Sequence, residues 1–242
     1  MCGRYAMSQG ADDLALEFQA GNRTDVFVPA DWNISPTKQI YIIAGDDPSG
    51  TKRRVDIALW GLIPSWSKNS SSASNTINAR VETVSEKPSF RSAFRSRRCL
   101  IPADGYYEWA TTIGPYPPKQ PFYISNENKS SLAMAGIFEE WKNPRDGKTL
   151  VSAAILTRES VGDISAIHNR MPVLLPADRW SKWLCSVPVA DRDVPRYLAL
   201  LETENPAAGL IAYPVSTTVN SARNSGPALT QKVELGEPET LF

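Results

Sequence analysis

The chain has 242 residues, enough for one domain or two small ones and for a sizeable core. With 42% hydrophobic and 21% charged residues, its composition excludes wholesale disorder. Lys and Arg number 26, and so do Asp and Glu, so the formal charge is zero. That excludes a polybasic, histone-like protein but not a local basic groove. Cys2, Cys99 and Cys185 are too few and too scattered for a disulfide framework or a zinc knuckle, and they point to a reducing, intracellular setting. No signal-like apolar segment opens the chain. The longest apolar runs, such as Leu132 to Phe138, are too short to span a bilayer. The expectation is therefore a cytoplasmic protein without a membrane partner.

In chain order, Asp12 to Phe18 predicts a short helix with acidic residues in its first turn. Ile40 to Ala44 and Val55 to Trp60 read as strands around the turn-rich Gly45-Asp46-Asp47-Pro48-Ser49-Gly50. Lys68 to Thr76 is a Ser/Asn-rich loop. Cys99 to Ile101 and Tyr106 to Trp109 read as strand pieces, followed by Phe122 to Ser125, Leu132 to Phe138 and Leu150 to Leu156. Pro176 starts a helix that carries Trp180, Trp183 and Leu184 on one face. Asp193 to Leu201 reads as helix and Ile211 to Val215 as strand. The 19 prolines argue for many short strands rather than long helices. No linker divides the chain. The prediction is one compact, β-rich α+β domain over residues 1–228, with a few short peripheral helices and a short acidic tail at 229–242.

Several positions carry candidate chemistry. If Met1 is removed, Cys2 offers an α-amine and a thiol on adjacent carbons. Their reference pKa values near ~8 and ~8.5 leave both partly deprotonated at neutral pH. Such a 1,2-aminothiol condenses with an aldehyde to an imine and then closes a thiazolidine ring. An internal cysteine, whose nitrogen is an amide, has no such route. Taken alone, Cys2 reads more simply as a residue that merely follows the initiator. His168, the only histidine, is either a base beside a cysteine or a structural residue. A single histidine excludes any site built on two, and no metal or cofactor is expected. Glu108, between aromatics in Tyr106-Tyr107-Glu108-Trp109, is either a desolvated proton carrier or an outward-facing strand residue. Asn78 and Arg80 share one face of an extended segment. They either receive a phosphate and a sugar oxygen or tie down a loop. The run Arg91, Arg95, Arg97, Arg98 is a candidate basic groove or a solvated face. The Trp60–Trp66 segment is a candidate wedge against nucleobases or part of the core.

Together these segments resemble the SRAP family of SOS-response-associated peptidases and abasic-site-processing proteins. The motifs run in the family's order: Met1-Cys2-Gly3-Arg4; Trp32-Asn33-Ile34-Ser35-Pro36-Thr37; Trp60 to Trp66; Ile77-Asn78-Ala79-Arg80-Val81-Glu82-Thr83; Arg98 to Trp109; Ile167-His168-Asn169-Arg170-Met171-Pro172; and Tyr213-Pro214-Val215-Ser216 with Val219-Asn220. The resemblance implies a sensor and shield of abasic sites in single-stranded DNA. Cys2, freed by Met1 autoprocessing or an aminopeptidase, would form a covalent thiazolidine link. It also implies catalytic positions at Cys2, Asn78, Glu108 and His168. Arg4 and Arg80 match contacts to the DNA backbone, Pro36 and Trp66 match apolar contacts to bases, and Ser216 joins the DNA-binding set. An abasic-site lyase activity, a monomeric state, nucleoid association in a bacterial cell and unspecified replication-fork partners complete that expectation. Two other readings stay open: a cysteine peptidase acting on other proteins, and a non-covalent reader of modified nucleic acid. Cys99 and Cys185 read as small buried hydrophobes.

Overall fold

The apolar stretches 99–103 and 132–138 are buried on both faces and form the middle of the molecule, in a computed structural model that describes residues 2–71, 73–111 and 116–235. The first half of the chain supplies β1 (Arg4–Met7), α1 (Ala11–Glu17), β2 (Gly21–Asn22), β3 (Asp31–Ile34), β4 (Gln39–Gly45), β5 (Arg53–Trp60), β6 (Asn78–Arg80), α2 (Arg91–Ser96), β7 (Arg98–Ala103) and β8 (Gly105–Trp109). The second half adds β9 (Pro121–Asn126), β10 (Leu132–Lys142), β11 (Thr149–Glu159), β12 (Arg170–Pro172), α3 (Ala177–Leu184), α4 (Val194–Leu200) and β13 (Leu210–Pro214). One sheet has the order β13-β9-β8-β1-β3, the other β12-β11-β10-β7-β4-β5-β2, with β6 alongside β11. A parallel contact of β11 with β5, Ser152 opposite Leu59 and Ala153 opposite Trp60, closes the strands β11, β10, β7, β4 and β5 into a ring. The β-rich α+β architecture and the short helices agree with the sequence reading. None of the described helices is long and apolar enough to cross a membrane.

One ribbon of chain links the two sheets. β7 lies inside the ring, and β8 follows it directly in the five-stranded sheet. The crossing point is Asp104-Gly105, where the Asp104 amide donates to Ala6 O and the Asp104 carboxylate accepts the Ser8 amide at 2.7 Å. A side chain at Gly105 would meet the Tyr123 ring at 2.5 Å and Ile124 O at 2.6 Å, so the close approach of β8 to β9 requires glycine there. The two-residue period of β8 then sorts its side chains. Tyr106 packs in the main core with Tyr5, Ile34 and Ile124. Tyr107 packs on the opposite face with Ala6, Tyr123, Val215 and Val219. Glu108 shares the Tyr106 face and Trp109 shares the Tyr107 face.

Several outcomes differ from the sequence reading. Arg91 to Ser96 is a helical turn, and three of the four arginines of that run are engaged. Arg98 is only 3% exposed and donates to the carbonyls of Phe94, Arg95, Trp183, Cys185 and Val187. Arg97 pairs with buried Glu139 at 2.7 Å, and Arg95 with Asp191 at 2.6 Å. The run therefore knits α2 to α3 and β10, and Arg97 and Arg98 border a pocket whose lining mixes Arg54 with Asp46 and Glu140. Trp60 is wholly buried against Tyr5, so of the two tryptophans in its segment only Trp66 reaches solvent. Cys99 is enclosed as expected, but Cys185 is half-buried, with its thiol donating to Pro48 O at 2.9 Å. At the far end of the chain, Leu229 packs under the Tyr107 face, and Val233 donates its amide to Pro214 O.

Candidate active site

The site lies where the start of β1 meets β6, β8 and the segment leading into β12. Cys2 is fully buried, and its thiol has a long contact to Arg4 O at 4.0 Å. Asn78 opens β6, which runs parallel to β11 with Asn78 opposite Ile155. That pairing aims the side-chain amide across the gap between the sheets, where Nδ2 donates to Cys2 O at 2.7 Å. Glu108 is 2% exposed, which removes the outward-facing alternative. His168 Nδ1 lies 3.9 Å from Glu108 Oε2.

His168 is held from its own segment. Its carbonyl accepts Ser160 Oγ at 2.5 Å, and its Nδ1 accepts the Arg170 amide at 3.0 Å. The same nitrogen also lies 3.2 Å from Arg170 O. Arg170 makes a bidentate pair with Glu82 at 2.7 and 3.0 Å and also donates to Thr157 O at 2.6 Å. This clamp pins β12 against β11 and so fixes the ring that precedes it. Arg170 and Glu82 each sit inside a sequence motif that gives no sign of their pairing. Their opposite charges were the available signal, and their separation along the chain hid the pairing.

Burial sets the electrostatics. It pushes the Glu108 carboxyl up to about 7, where the group holds or releases a proton at neutral pH. Burial also raises the Cys2 thiol, and the nearby Glu108 carboxylate raises it further. The His168 ring is lowered, chiefly by burial, which favours its neutral form. Asn78 thus touches Cys2, Glu108 faces His168, and the Glu108 charge reaches the Cys2 thiol. Two polar atoms here have no hydrogen-bond partner among the described residues: Asn78 Oδ1 and Tyr106 Oη.

The remaining predicted positions spread outward. Arg80, at the end of β6, is exposed and lines a groove of roughly 400 Å³ with Glu159, His168, Asn169 and Arg170. Arg4 follows the period of β1 to the opposite face. There it donates to Asn33 Oδ1 at 2.7 Å and Val219 O at 3.0 Å, with its guanidinium 5.9 Å from the Trp109 ring centre. Asn33 is wholly buried and donates to the carbonyls of Val219, Ser221 and Asn224. It is the hub of this second network, a role not visible from its motif. Ser216 caps the turn Thr217–Asn220 by accepting the Thr218 amide. Pro36 is half-buried beyond β3. Trp66 is 66% exposed, on a segment anchored by the Trp141 indole donating to Ser67 O at 2.7 Å.

Over residues 1–222 the chain matches the family described as SOS response associated peptidase (SRAP), and it belongs to that family. It is 36% identical over 236 residues to the abasic site processing protein YoqW of Bacillus subtilis (strain 168), covering 96% of this chain and 99% of the relative. It is 31% identical over 279 residues to the abasic site processing protein HMCES of Gallus gallus, covering 100% of this chain and 80% of that one. Among solved structures, a crystal structure of a Bacteroides thetaiotaomicron protein has a TM-score of 0.77 at 26% identity, over 96% of this chain and 100% of that one.

Proposed function

We propose that this protein processes abasic sites in single-stranded DNA and captures them covalently through Cys2 once Met1 has been removed. The observation that carries the reading is the setting of Cys2. Its carbonyl is gripped by Asn78, and its thiol lies within the field of a buried carboxyl that titrates near neutrality. The names of the relatives supply the substrate class.

The chemistry follows from these groups. The ring-opened abasic deoxyribose presents an aldehyde. The Cys2 amine adds to it, and loss of water leaves an imine. Glu108, holding a proton near pH 7, supplies it to the departing hydroxyl. The sulfur then bonds to the imine carbon, the π electrons pass to nitrogen, and the thiol proton moves by way of the Glu108 carboxylate to that nitrogen. A thiazolidine remains. The imine is also the branch point for strand scission, so prompt ring closure protects the strand. Asn78 fixes the Cys2 backbone during these steps, with its free Oδ1 available to the new amine. The neutral His168 ring offers a ring nitrogen to the sugar oxygen or the adjacent phosphate. Arg80 borders the groove beside it, and Trp66 offers a face to an unstacked base. Arg4, by contrast, is engaged by Asn33 and Val219. We therefore assign it to shaping the β1 start, with any DNA contact left to its remaining guanidinium edge.

A peptidase acting on other proteins is less well supported. Burial disfavours a standing thiolate at Cys2. The deciding experiment mixes purified protein with single-stranded DNA bearing one abasic site. A heat-stable adduct on a denaturing gel is expected, with intact mass showing Met1 gone. Cys2→Ala should yield none, and an adduct from that variant at the wild-type level would overturn the reading.

A further inference from the structure

The end of β11 separates two segments of the site. Thr157 pairs with Arg80 of β6 and also with Pro172 of β12, so the two strands lie on opposite edges of β11. β6 begins with Asn78, which grips Cys2 O at 2.7 Å, and runs on into the turn Val81–Thr83 that carries Glu82. β12 follows His168 directly. The Arg170 guanidinium spans the gap: Nη1 donates to Glu82 Oε1 at 2.7 Å, and Nη2 to Glu82 Oε2 at 3.0 Å and to Thr157 O at 2.6 Å. Ion pairs between two exposed side chains are loose. Here the Arg170 side chain is only 12% exposed, and its planar fork fits the carboxylate in one orientation. Arg170 in turn holds the ring through its backbone, since His168 Nδ1 lies 3.0 Å from its amide and 3.2 Å from its carbonyl oxygen. A shift of β12 therefore moves the imidazole relative to Glu108, 3.9 Å away. Glu82 itself is 52% exposed, a negative charge on a residue that borders the Arg80 groove. It opposes a phosphate chain there, so its use lies in orientation.

We propose that Glu82 is a positioning residue: through Arg170 it holds the His168 ring beside Glu108 and ties the strand behind that ring to the one that carries Asn78. Glu82 touches no reacting atom. The task of His168 at the sugar rests on the covalent reading given above, but the placement of the ring does not. Without the Glu82 charge the guanidinium loses its bidentate partner. β12 then keeps its backbone pairing, and the ring that hangs on Arg170 gains freedom. The effect falls on the rate at saturating DNA and not on affinity.

His168 is the only histidine, so one set of imidazole signals in the NMR spectrum of the full-length protein, free of DNA, reports the ring. The charged groups around it are Glu108 from β8, Arg80 from β6, Glu159 from β11, Arg170 from β12 and the amino terminus. In wild type the ring titrates below its ordinary 6.5, chiefly because it is buried. Deleting a nearby negative charge and nothing else would lower the midpoint further. A ring released toward water does the opposite, so Glu82→Gln should raise the midpoint toward 6.5. Arg170→Lys keeps the charge but loses the fork, and it should raise the midpoint too. A midpoint at or below wild type in either variant would overturn the proposal. A second arm, with Met1 removal checked by mass, follows adduct formation on single-stranded DNA with one abasic site over a range of DNA concentrations. Glu82→Gln should lower the saturating rate about ten- to a hundredfold, the scale of a small misplacement of a catalytic group. The DNA concentration at half the maximal rate should not rise. An unchanged saturating rate would also overturn the proposal. A wild type that forms no adduct would sink the covalent reading and leave the NMR titration to decide on Glu82.

Discussion

Arg98 opens β7 and Glu108 nears the end of β8, on one continuous ribbon, and the two are almost equally enclosed, at 3% and 2% exposure. Their surroundings treat them in opposite ways. Arg98 is met by five backbone carbonyls and by the Tyr197 ring at 4.7 Å. Every one of those carbonyl bonds joins α2 or the end of α3 and the segment after it to the ring of strands. Glu108 faces a half-buried imidazole at 3.9 Å and an enclosed thiol, and burial lifts its carboxyl to about 7. A buried charge surrounded by fixed dipoles holds structure together. A buried carboxyl beside an imidazole and a thiol is poised to trade protons.

The largest expected effect comes from neutralising the poised member. Glu108→Gln should fold and bind DNA, yet form adduct about 10²–10⁴-fold more slowly, as loss of a proton carrier predicts. Adduct kinetics against an unchanged Tm test this, and near-normal kinetics would erase the distinction between the two residues. Arg98→Met should act the other way. Stranding several carbonyls should cost about 3–5 kcal/mol in urea unfolding. The protein that remains folded should cross-link at the normal rate.

A pH series sharpens the contrast. The ordinary value for Glu108 is 4.5 and its value in the folded protein is about 7, so the native state binds more protons between them. Stability should therefore fall as pH rises from 4.5 to about 7 and should change no further on that account above it. In Glu108→Gln this component should vanish, whereas in Arg98→Met it should persist. The smallest effect is expected at Arg95, whose ion pair with Asp191 is exposed to solvent. Arg95→Ala should cost about 0–1 kcal/mol. It should also leave the salt dependence of DNA binding unchanged, since removing a cation that neutralises a phosphate would make the slope shallower. A clearly shallower slope would return the basic run to the DNA-binding surface.

The same comparison explains what could be read from the sequence. Uninterrupted apolar stretches gave away β7 and β10, and Pro176 with Trp180 and Trp183 gave away α3. Glu108 was legible as a candidate because aromatics flank it. Its inward direction was not, since a period of two fits either face until a partner strand is known. The fate of Arg97 and Arg98 was hidden for a related reason: Glu139 and the carbonyls of 183–187 are remote along the chain, and nothing local announces them. β1 and β3 escaped notice because four-residue strands carry too few alternations to stand out. The role of Asn33 depends on the 219–224 segment, which is remote along the chain and leaves no local sign in its motif.

The clamp that orients His168, from Arg170 to Glu82 and Thr157, has a consequence in time. During translation Cys2 leaves the ribosome early, Asn78 and Glu108 follow, and the imidazole with its clamp arrives last. Until residues 157–170 have been made, the imidazole has no clamp to hold it beside Glu108. The surroundings of the imidazole are thus completed only when β12 docks on β11, late in the chain's synthesis.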